Sequence, residues 1–334
     1  MNKRDFLSIQ ALGSRELADL LDLAARMKRR GPGQVLAGKT LGLLFFERSL
    51  RTRVSFHVAM EQLGGHCLSL FADRDIYDLE AQDRAVMVGS AEEHVQDAAR
   101  TLSRYVDALG IRHLPPATSW AEARAEALVR AYAEYASVPV INLETALEHP
   151  CQAIADMLTI RERLIDVRGR NLTLAWGYDP EPKSLGVSHS VLLSAAALGL
   201  NVTLAHPLGF ELDPQIVEAA RTRATESGGS VRVVNDLAEG VREAHVLYAR
   251  SWRSLKFYAD PERESIVKRS LEGWRIDGEL LASTKNAIFM HPLPVRRNVV
   301  ATDDVLDGPQ SVIYDQAENR LHAGKALLVH LLGG

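Results

Sequence analysis

The stretch Thr40-Leu41-Gly42-Leu43-Leu44-Phe45-Phe46-Glu47-Arg48-Ser49-Leu50-Arg51-Thr52-Arg53 decides the fold. Its first half is a nearly continuous apolar run, the mark of a strand covered on both faces. A short polar turn follows, and a helical pattern begins near Arg53. The same alternation recurs along the chain. Further strands are expected at His66–Leu70, Ala108–Arg112, Val138–Leu143, Leu172–Trp176, Val202–Ala205, Val231–Val234, Val246–Ala249, Ala287–His291 and Ser311–Tyr314. Amphipathic stretches lie between them at Arg53–Leu63, Ala121–Tyr135, Gln152–Leu164, Val187–Leu198 and Pro214–Ser227, with another ahead of the first strand at Glu16–Arg29. Two sets of about five strands predict an α/β protein of two doubly wound domains with parallel sheets.

The expected division is 1–148 and 149–317, with a helix at His149–Leu164 crossing between the halves and a last helix, 318–332, packing back on the first. The polar, mixed-charge stretch Ala72–Val88 reads as a long loop, a length often tied to function. A length of 334 residues fits two domains. Hydrophobic residues are 46% and charged residues 25%, with a net charge of -4. That balance gives no reason to expect nucleic acid or an anionic membrane as a partner. The two cysteines, Cys67 and Cys151, make no disulfide framework and no zinc ribbon. Met1 to Arg30 lacks an apolar signal core, and no apolar run reaches the roughly 18 residues of a membrane span. The expectation is a cytoplasmic protein with no metal and no cofactor.

Three constellations carry chemistry. At Ser49–Arg53, a strand end meets a helix start, where free N–H groups and the helix dipole attract an anion. Two arginines and two hydroxyls there make a phosphate site; the plainer alternative is an N-cap with solvated arginines. His149-Pro150-Cys151-Gln152 opens a helix after the strand Val138–Leu143. Cys151 invites a nucleophile reading, but no helper arrangement accompanies it, and cysteine is commonly a small buried residue. Met290-His291-Pro292-Leu293-Pro294 ends a strand in a loop stiffened by two prolines, each of which could follow a cis bond. Such a loop can aim backbone carbonyls at a ligand.

Together these pieces resemble the aspartate/ornithine carbamoyltransferase family. Ser49-Leu50-Arg51-Thr52-Arg53 matches its Ser-x-Arg-Thr-Arg phosphate loop and His149-Pro150-Cys151-Gln152 its His-Pro-x-Gln motif. His291-Pro292-Leu293-Pro294 matches its third motif, and Glu318-Asn319-Arg320-Leu321-His322 resembles the ending of the ornithine-type branch. The resemblance implies one domain for carbamoyl phosphate, one for an amine, and a homotrimer with active sites near subunit interfaces. It implies that Ser49, Leu50, Arg51, Thr52 and Arg53 hold the phosphate and that Arg112 reaches phosphate and carbonyl. His149 would bond the carbonyl oxygen, and Gln152 and the Leu293 carbonyl the carbamoyl nitrogen. Arg320 is a further contact, and Tyr77 an aromatic lent by a neighbouring subunit. Thr52, Arg112 and His149 would then stabilise the oxyanion formed as a neutral amine attacks, and holding both reactants in a dry cleft would supply much of the rate.

The amine side is most similar to the branch of that family acting on N-acetylornithine. The shared pieces are Glu92-Glu93-His94, Val140–Thr145, Tyr178-Asp179-Pro180-Glu181-Pro182, Tyr248–Trp252 and Arg296–Val299. The likeness implies that Glu92 favours an acetyl over a succinyl substrate by charge repulsion, that Glu144 contacts the substrate, and that Arg250 and Arg296 take its carboxylate. Ser184, Pro292 and Leu293 complete the amine side. Arg250 stands where the branch has lysine, Ser184 where it has asparagine, and Val300 where it has lysine; Pro292 replaces the cysteine of the ornithine type. N-succinylornithine, ornithine or a diamine are the alternative acceptors. A dinucleotide-dependent oxidoreductase would need Gly-x-Gly-x-x-Gly after a strand, which the chain lacks. A non-catalytic family member would be expected to lose phosphate-loop or His-Pro-x-Gln residues, and both are intact.

Overall fold

A computed structural model describes residues 3–31 and 33–333. The first half carries β1 (Thr40–Phe45), β2 (His66–Phe71), the two-residue strands β3 (Leu79–Glu80) and β4 (Glu93–His94), β5 (Ala108–Arg112) and β6 (Val140–Glu144). Its helices are α1 (Ser14–Arg30), α2 (Leu50–Gln62), α3 (Val95–Leu102), α4 (Trp120–Ala125) and α5 (Ala127–Tyr135). After α6 (Pro150–Leu164) come β7 (Asn171–Trp176), β8 (Asn201–Ala205), β9 (Ser230–Val234), β10 (Val246–Arg250) and β11 (Ile288–Met290). The helices among them are α7 (Gly186–Ala197), α8 (Pro214–Ser227), α9 (Leu237–Val241), α10 (Pro261–Arg269), α11 (Gly278–Ala282), α12 (Asp303–Leu306) and α13 (Ile313–Leu332).

Two parallel sheets result. One runs β2-β1-β5-β6 and the other β11-β10-β7-β8-β9. Each winds outward from a pair of central strands, β1 and β5 in the first and β7 and β10 in the second. The crevice beyond the carboxyl ends of such a pair is where doubly wound sheets take ligands. Burial explains the apolar runs: Leu41 to Phe45 and Leu172 to Trp176 have essentially no exposed surface. Helix α6 is buried from Pro150 through Ile160, as a helix wrapped on all sides must be. It packs against α1, α7 and α13, and α13 also lies along α1 and α2. The last helix therefore rests on helices of the first half.

Several elements differ from expectation. Ser311–Tyr314 is not a strand. Ser311 makes one bridge to Phe289, and the chain turns into α13 at Ile313. Val312 and Ile313 are buried, so the apolar run marked burial rather than extended backbone. α13 thus begins before 318. The helix expected over Ala121–Tyr135 breaks at Glu126, whose φ is 51°. The Glu126 carboxylate is held by one distant and one local contact: the Thr145 hydroxyl donates to it at 2.5 Å and Arg130, one turn on, at 2.7 Å. α2 starts at Leu50, so the phosphate-loop residues form its first turn. The Ala72–Val88 loop includes β3, paired with β4. Helices α3 and α9 to α12 were not anticipated.

Candidate active site

The site begins where β1 ends. Ser49 is the N-cap of α2, yet its hydroxyl makes no capping bond, so both it and the first N–H groups of the helix stay available to a ligand. Thr52 is buried within the first turn of α2. Arg51 is half-buried, and burial, then Arg112 and Arg250, push its guanidinium below the ordinary arginine value. β5, the neighbouring strand across the switch, ends in Arg112. The first sheet therefore delivers hydroxyls and guanidiniums to one crevice.

The second sheet delivers its own switch point to the same place. Pro182, Lys183 and Ser184 follow β7, and Arg250 ends β10. Between the two sets stands the N-terminus of α6, with His149 as N-cap and Pro150 in its first turn. The His149 N–H donates to the Gly186 carbonyl at 3.1 Å and to Ser190 Oγ at 2.9 Å, which ties the α6 start to α7. Only glycine fits at 186, because a Cβ there would lie 2.5 Å from the Thr145 carbonyl oxygen. Past β11, the Leu293–Pro294 peptide is cis, and Pro292, Leu293 and Pro294 reach the crevice. Arg320 arrives from α13 and donates to Thr52 Oγ1 and to Gln152 Oε1.

These elements enclose a cavity of about 440 Å³. Among the described residues, Arg48, Arg51, Arg112, Lys183, Arg250 and Arg320 line it, against the single carboxylate of Glu144. Burial works to raise the Glu144 pKa, but Arg112, His149 and Arg250 overcome it and hold the carboxyl at about 2. Glu144 pairs with Arg112 and accepts from Ser184 Oγ at 3.1 Å. His149 is held well below its ordinary value, first by burial and then by Arg320, Arg112 and Arg250, with Glu144 opposing; its ring is neutral near pH 7. Among the described residues, Arg112 Nε, His149 Nδ1, Arg250 Nε and Arg320 Nε are buried without a partner. Buried donors of this kind ordinarily find an acceptor, and here they surround one cavity. Burial pushes the Cys151 thiol up to about 12, and its Sγ faces the Asn142 carbonyl at 3.4 Å, which disposes of it as a nucleophile.

The structure gathers Ser49, Leu50, Arg51, Thr52, Arg112, Glu144, His149, Gln152, Ser184, Arg250, Pro292, Leu293 and Arg320 around this cavity. Four expected residues are not on it. Arg53 is exposed, with its guanidinium over the Phe71 ring at 4.7 Å. Arg296 is drawn to Asp179, Nε to Oδ1 at 3.1 Å. Tyr77 is 66% exposed and lines a separate recess with Phe46, His113 and Leu128. Glu92 is exposed just before β4. Val300, where a lysine was expected, is buried over Gly177. Arg48, Leu114, Pro182, Lys183, Val187 and Pro294 line the cavity without having been anticipated. Arg48 and Lys183 each adjoin a quoted motif, the only signal the sequence offered for them.

Comparison with known proteins agrees with this geometry. The family model described as "Aspartate/ornithine carbamoyltransferase, carbamoyl-P binding domain" matches residues 4–162, and that described as "Aspartate/ornithine carbamoyltransferase, Asp/Orn binding domain" matches residues 170–331. The N-acetylornithine carbamoyltransferase of Xanthomonas campestris pv. campestris is 40% identical, over 100% of this chain and 99% of its own. The ornithine carbamoyltransferase of Methanoculleus marisnigri is 42% identical, over 99% and 98%. An acetylornithine transcarbamylase crystallised with acetylcitrulline superposes with a TM-score of 0.97 at 40% identity, covering 99% of this chain and 100% of that one.

Proposed function

This chain belongs to the aspartate/ornithine carbamoyltransferase family, and we propose that it moves the carbamoyl group of carbamoyl phosphate onto the side-chain amine of N-acetyl-L-ornithine. The product is N-acetyl-L-citrulline, in arginine biosynthesis. The observation that carries this reading is the single cavity where Ser49–Thr52, Arg112, His149, Gln152 and Arg320 meet Glu144, Ser184 and Arg250. The phosphate rests on the α2 N-terminus with Ser49, Arg51 and Thr52, and the half of the chain through residue 148 is its domain. The half from 149 to 317 receives the amine.

The neutral amine attacks the carbamoyl carbon. Charge then builds on the carbonyl oxygen, which Thr52, Arg112 and the neutral His149 stabilise through donors fixed before the reaction. As the C–N bond forms and the C–O bond to phosphate breaks, the proton lost by the attacking amine passes to the leaving phosphate oxygen, and the arginines stabilise the departing hydrogen phosphate dianion. Gln152 Oε1 and the Leu293 carbonyl accept from the carbamoyl NH2. Glu144 faces the incoming amine, and Arg250 its carboxylate. A homotrimer is part of this reading: Tyr77, Val86 and Val88 are 66%, 83% and 89% exposed on the loop that also leads to Glu92, and a neighbouring subunit covering that loop would bring Tyr77 and Glu92 to a site. The cytoplasm is the proposed location.

Ornithine itself is the second acceptor, favoured by the 42% identity to an ornithine carbamoyltransferase. A colorimetric assay of ureido product separates the two, using carbamoyl phosphate with N-acetylornithine, N-succinylornithine, ornithine, putrescine or aspartate. Turnover with N-acetylornithine alone is expected. Turnover with ornithine alone would replace the acceptor, and no turnover with any would remove the reading.

A further inference from the structure

Asp156 lies one turn beyond Gln152 on α6 and has no exposed surface. Its three partners are uncharged donors. Oδ1 accepts from Gln152 Nε2 and from Gln316 Nε2, both at 2.7 Å, and Oδ2 accepts from the Tyr248 hydroxyl at 2.9 Å. A carboxylate among such neighbours can only accept. Both amides must therefore turn their NH2 groups toward Asp156 and their oxygens away. For Gln152 the oxygen then points to the cavity, beside Arg320. For Gln316 the oxygen accepts the His291 N–H at 3.0 Å, at the root of the loop that carries Leu293. Tyr248 precedes Arg250 by two residues on β10.

We propose that Asp156 is a positioning residue that fixes the carbamoyl-nitrogen end of the site, by holding the Gln152 oxygen toward the cavity and anchoring the Leu293 loop through Gln316. The inference rests on the carbamoyl phosphate reading. Without Asp156 the Gln152 NH2 loses its acceptor, and the Arg320 contact to its oxygen is left as the one bond in this network that sets which end of the amide faces the ligand; an NH2 turned inward would oppose the carbamoyl NH2. A buried carboxylate with no cation among its hydrogen-bond partners is costly, and a leucine of similar size would serve packing alone.

The test compares carbamoyl phosphate with acetyl phosphate, in which a methyl replaces the NH2, by titration calorimetry on the full chain. Wild type is expected to prefer carbamoyl phosphate by about 10- to 100-fold, as two accepting groups aimed at one NH2 imply. Asp156→Leu should bring that ratio to within about threefold of unity, while affinity for inorganic phosphate changes less than twofold. Asp156→Asn should keep the ratio, since its Oδ1 can accept from both amides while Nδ2 donates to the Tyr248 oxygen. Should Asp156→Leu fail to fold, Asp156→Ala, which also lacks an acceptor, is read instead, with the same loss of preference expected. A folded variant that keeps the wild-type ratio with lowered thermal stability would overturn the positioning role and leave the proposed function standing. Wild type that binds no carbamoyl phosphate would overturn both.

Discussion

Arg112 and Glu144 are register partners at the ends of neighbouring parallel strands, although the count along β6 would place Leu143 there. Ile111 pairs with Asn142 and Arg112 with Glu144, so β6 carries one extra residue at its end. Strand residues alternate faces, and a one-residue irregularity re-aims the side chains beyond it. Here it brings the Glu144 carboxylate against the Arg112 guanidinium in the cavity. The result is a carboxylate held at about 2, below its ordinary 4.5. A depressed folded value contributes stability that is present above about 4.5 and lost as pH falls toward about 2. The size is on the order of 3 kcal/mol. Glu144→Gln is therefore expected to flatten the acid side of the stability curve, read from urea midpoints between pH 6 and pH 3. A variant as acid-sensitive as wild type would show that the pairing does not supply this dependence.

Among the described residues Arg51 has no ion-pair partner in the cavity, so its removal leaves no opposite charge stranded. Arg51→Ala is expected to lower kcat/KM for carbamoyl phosphate by at least about 100-fold, because hydrogen bonds from a charged donor contribute about 1.5–3 kcal/mol each and the guanidinium offers several. The melting temperature should move by only a few degrees. Activity near wild type would remove Arg51 from the phosphate site.

The neutrality of His149 is testable directly. Burial and three nearby guanidiniums oppose its protonation, against one carboxylate. Nitrogen NMR of labelled histidine should show the His149 ring keeping its neutral pattern from pH 8 to about 5.5. A midpoint near 6.5 would mean that the ring meets the carbonyl oxygen as a cation, and the oxyanion account would change.

The strands β1, β5, β6, β7, β8 and β10 were legible because their apolar runs have one cause, burial on both faces, whereas the edge strands β2 and β9 are partly exposed; α8 was legible from Asp213-Pro214 and Gly228, which mark its ends in sequence. The phosphate-loop, His-Pro-x-Gln and third-motif residues that line the cavity follow strand ends or open helices, where local sequence fixes their place. The break at Glu126 was not legible, because Thr145, nineteen positions on, holds it. Nor was the cavity wall at Lys183. Its neighbours come from β10 and from the loop beyond β11, and only the folded second sheet brings them beside it. Tyr77 and Glu92 sit on a loop whose apolar residues face outward in one chain, so no reading of one chain could bring them to its own cavity.

Glu92 gives a prediction that tests assembly and specificity together. It is exposed and outside the cavity of its own chain, so a substitution can alter acceptor choice only if another copy presents it. Glu92→Ser is expected to raise the ratio of kcat/KM for N-succinylornithine over N-acetylornithine at least tenfold by removing a charge that repels the succinyl carboxylate. Sedimentation should give a trimer for wild type and variant alike. An unchanged ratio would take Glu92 out of specificity, and a wild-type monomer with full activity would take the neighbouring subunit out of the site.

The cations available to the acceptor carboxylate differ from those expected. Arg296 is committed to Asp179 outside the cavity, and Val300 carries no charge. Lys183 lies on the cavity wall, with Nζ 3.5 Å from Asp179 Oδ2, a distance that leaves it only loosely held. Arg250 is already buried there, with Nε unpaired. Lys183 is thus the second cation free to turn toward a carboxylate, and its flexible stem suits an acceptor that must enter and leave. Lys183→Met is expected to raise KM for N-acetylornithine about tenfold, the effect of losing one partly exposed charged contact, while KM for carbamoyl phosphate changes less than twofold. Equal rises in both would assign Lys183 to the phosphate instead. No rise in either would take Lys183 off the acceptor and leave its carboxylate to Arg250 and the other cations of the cavity.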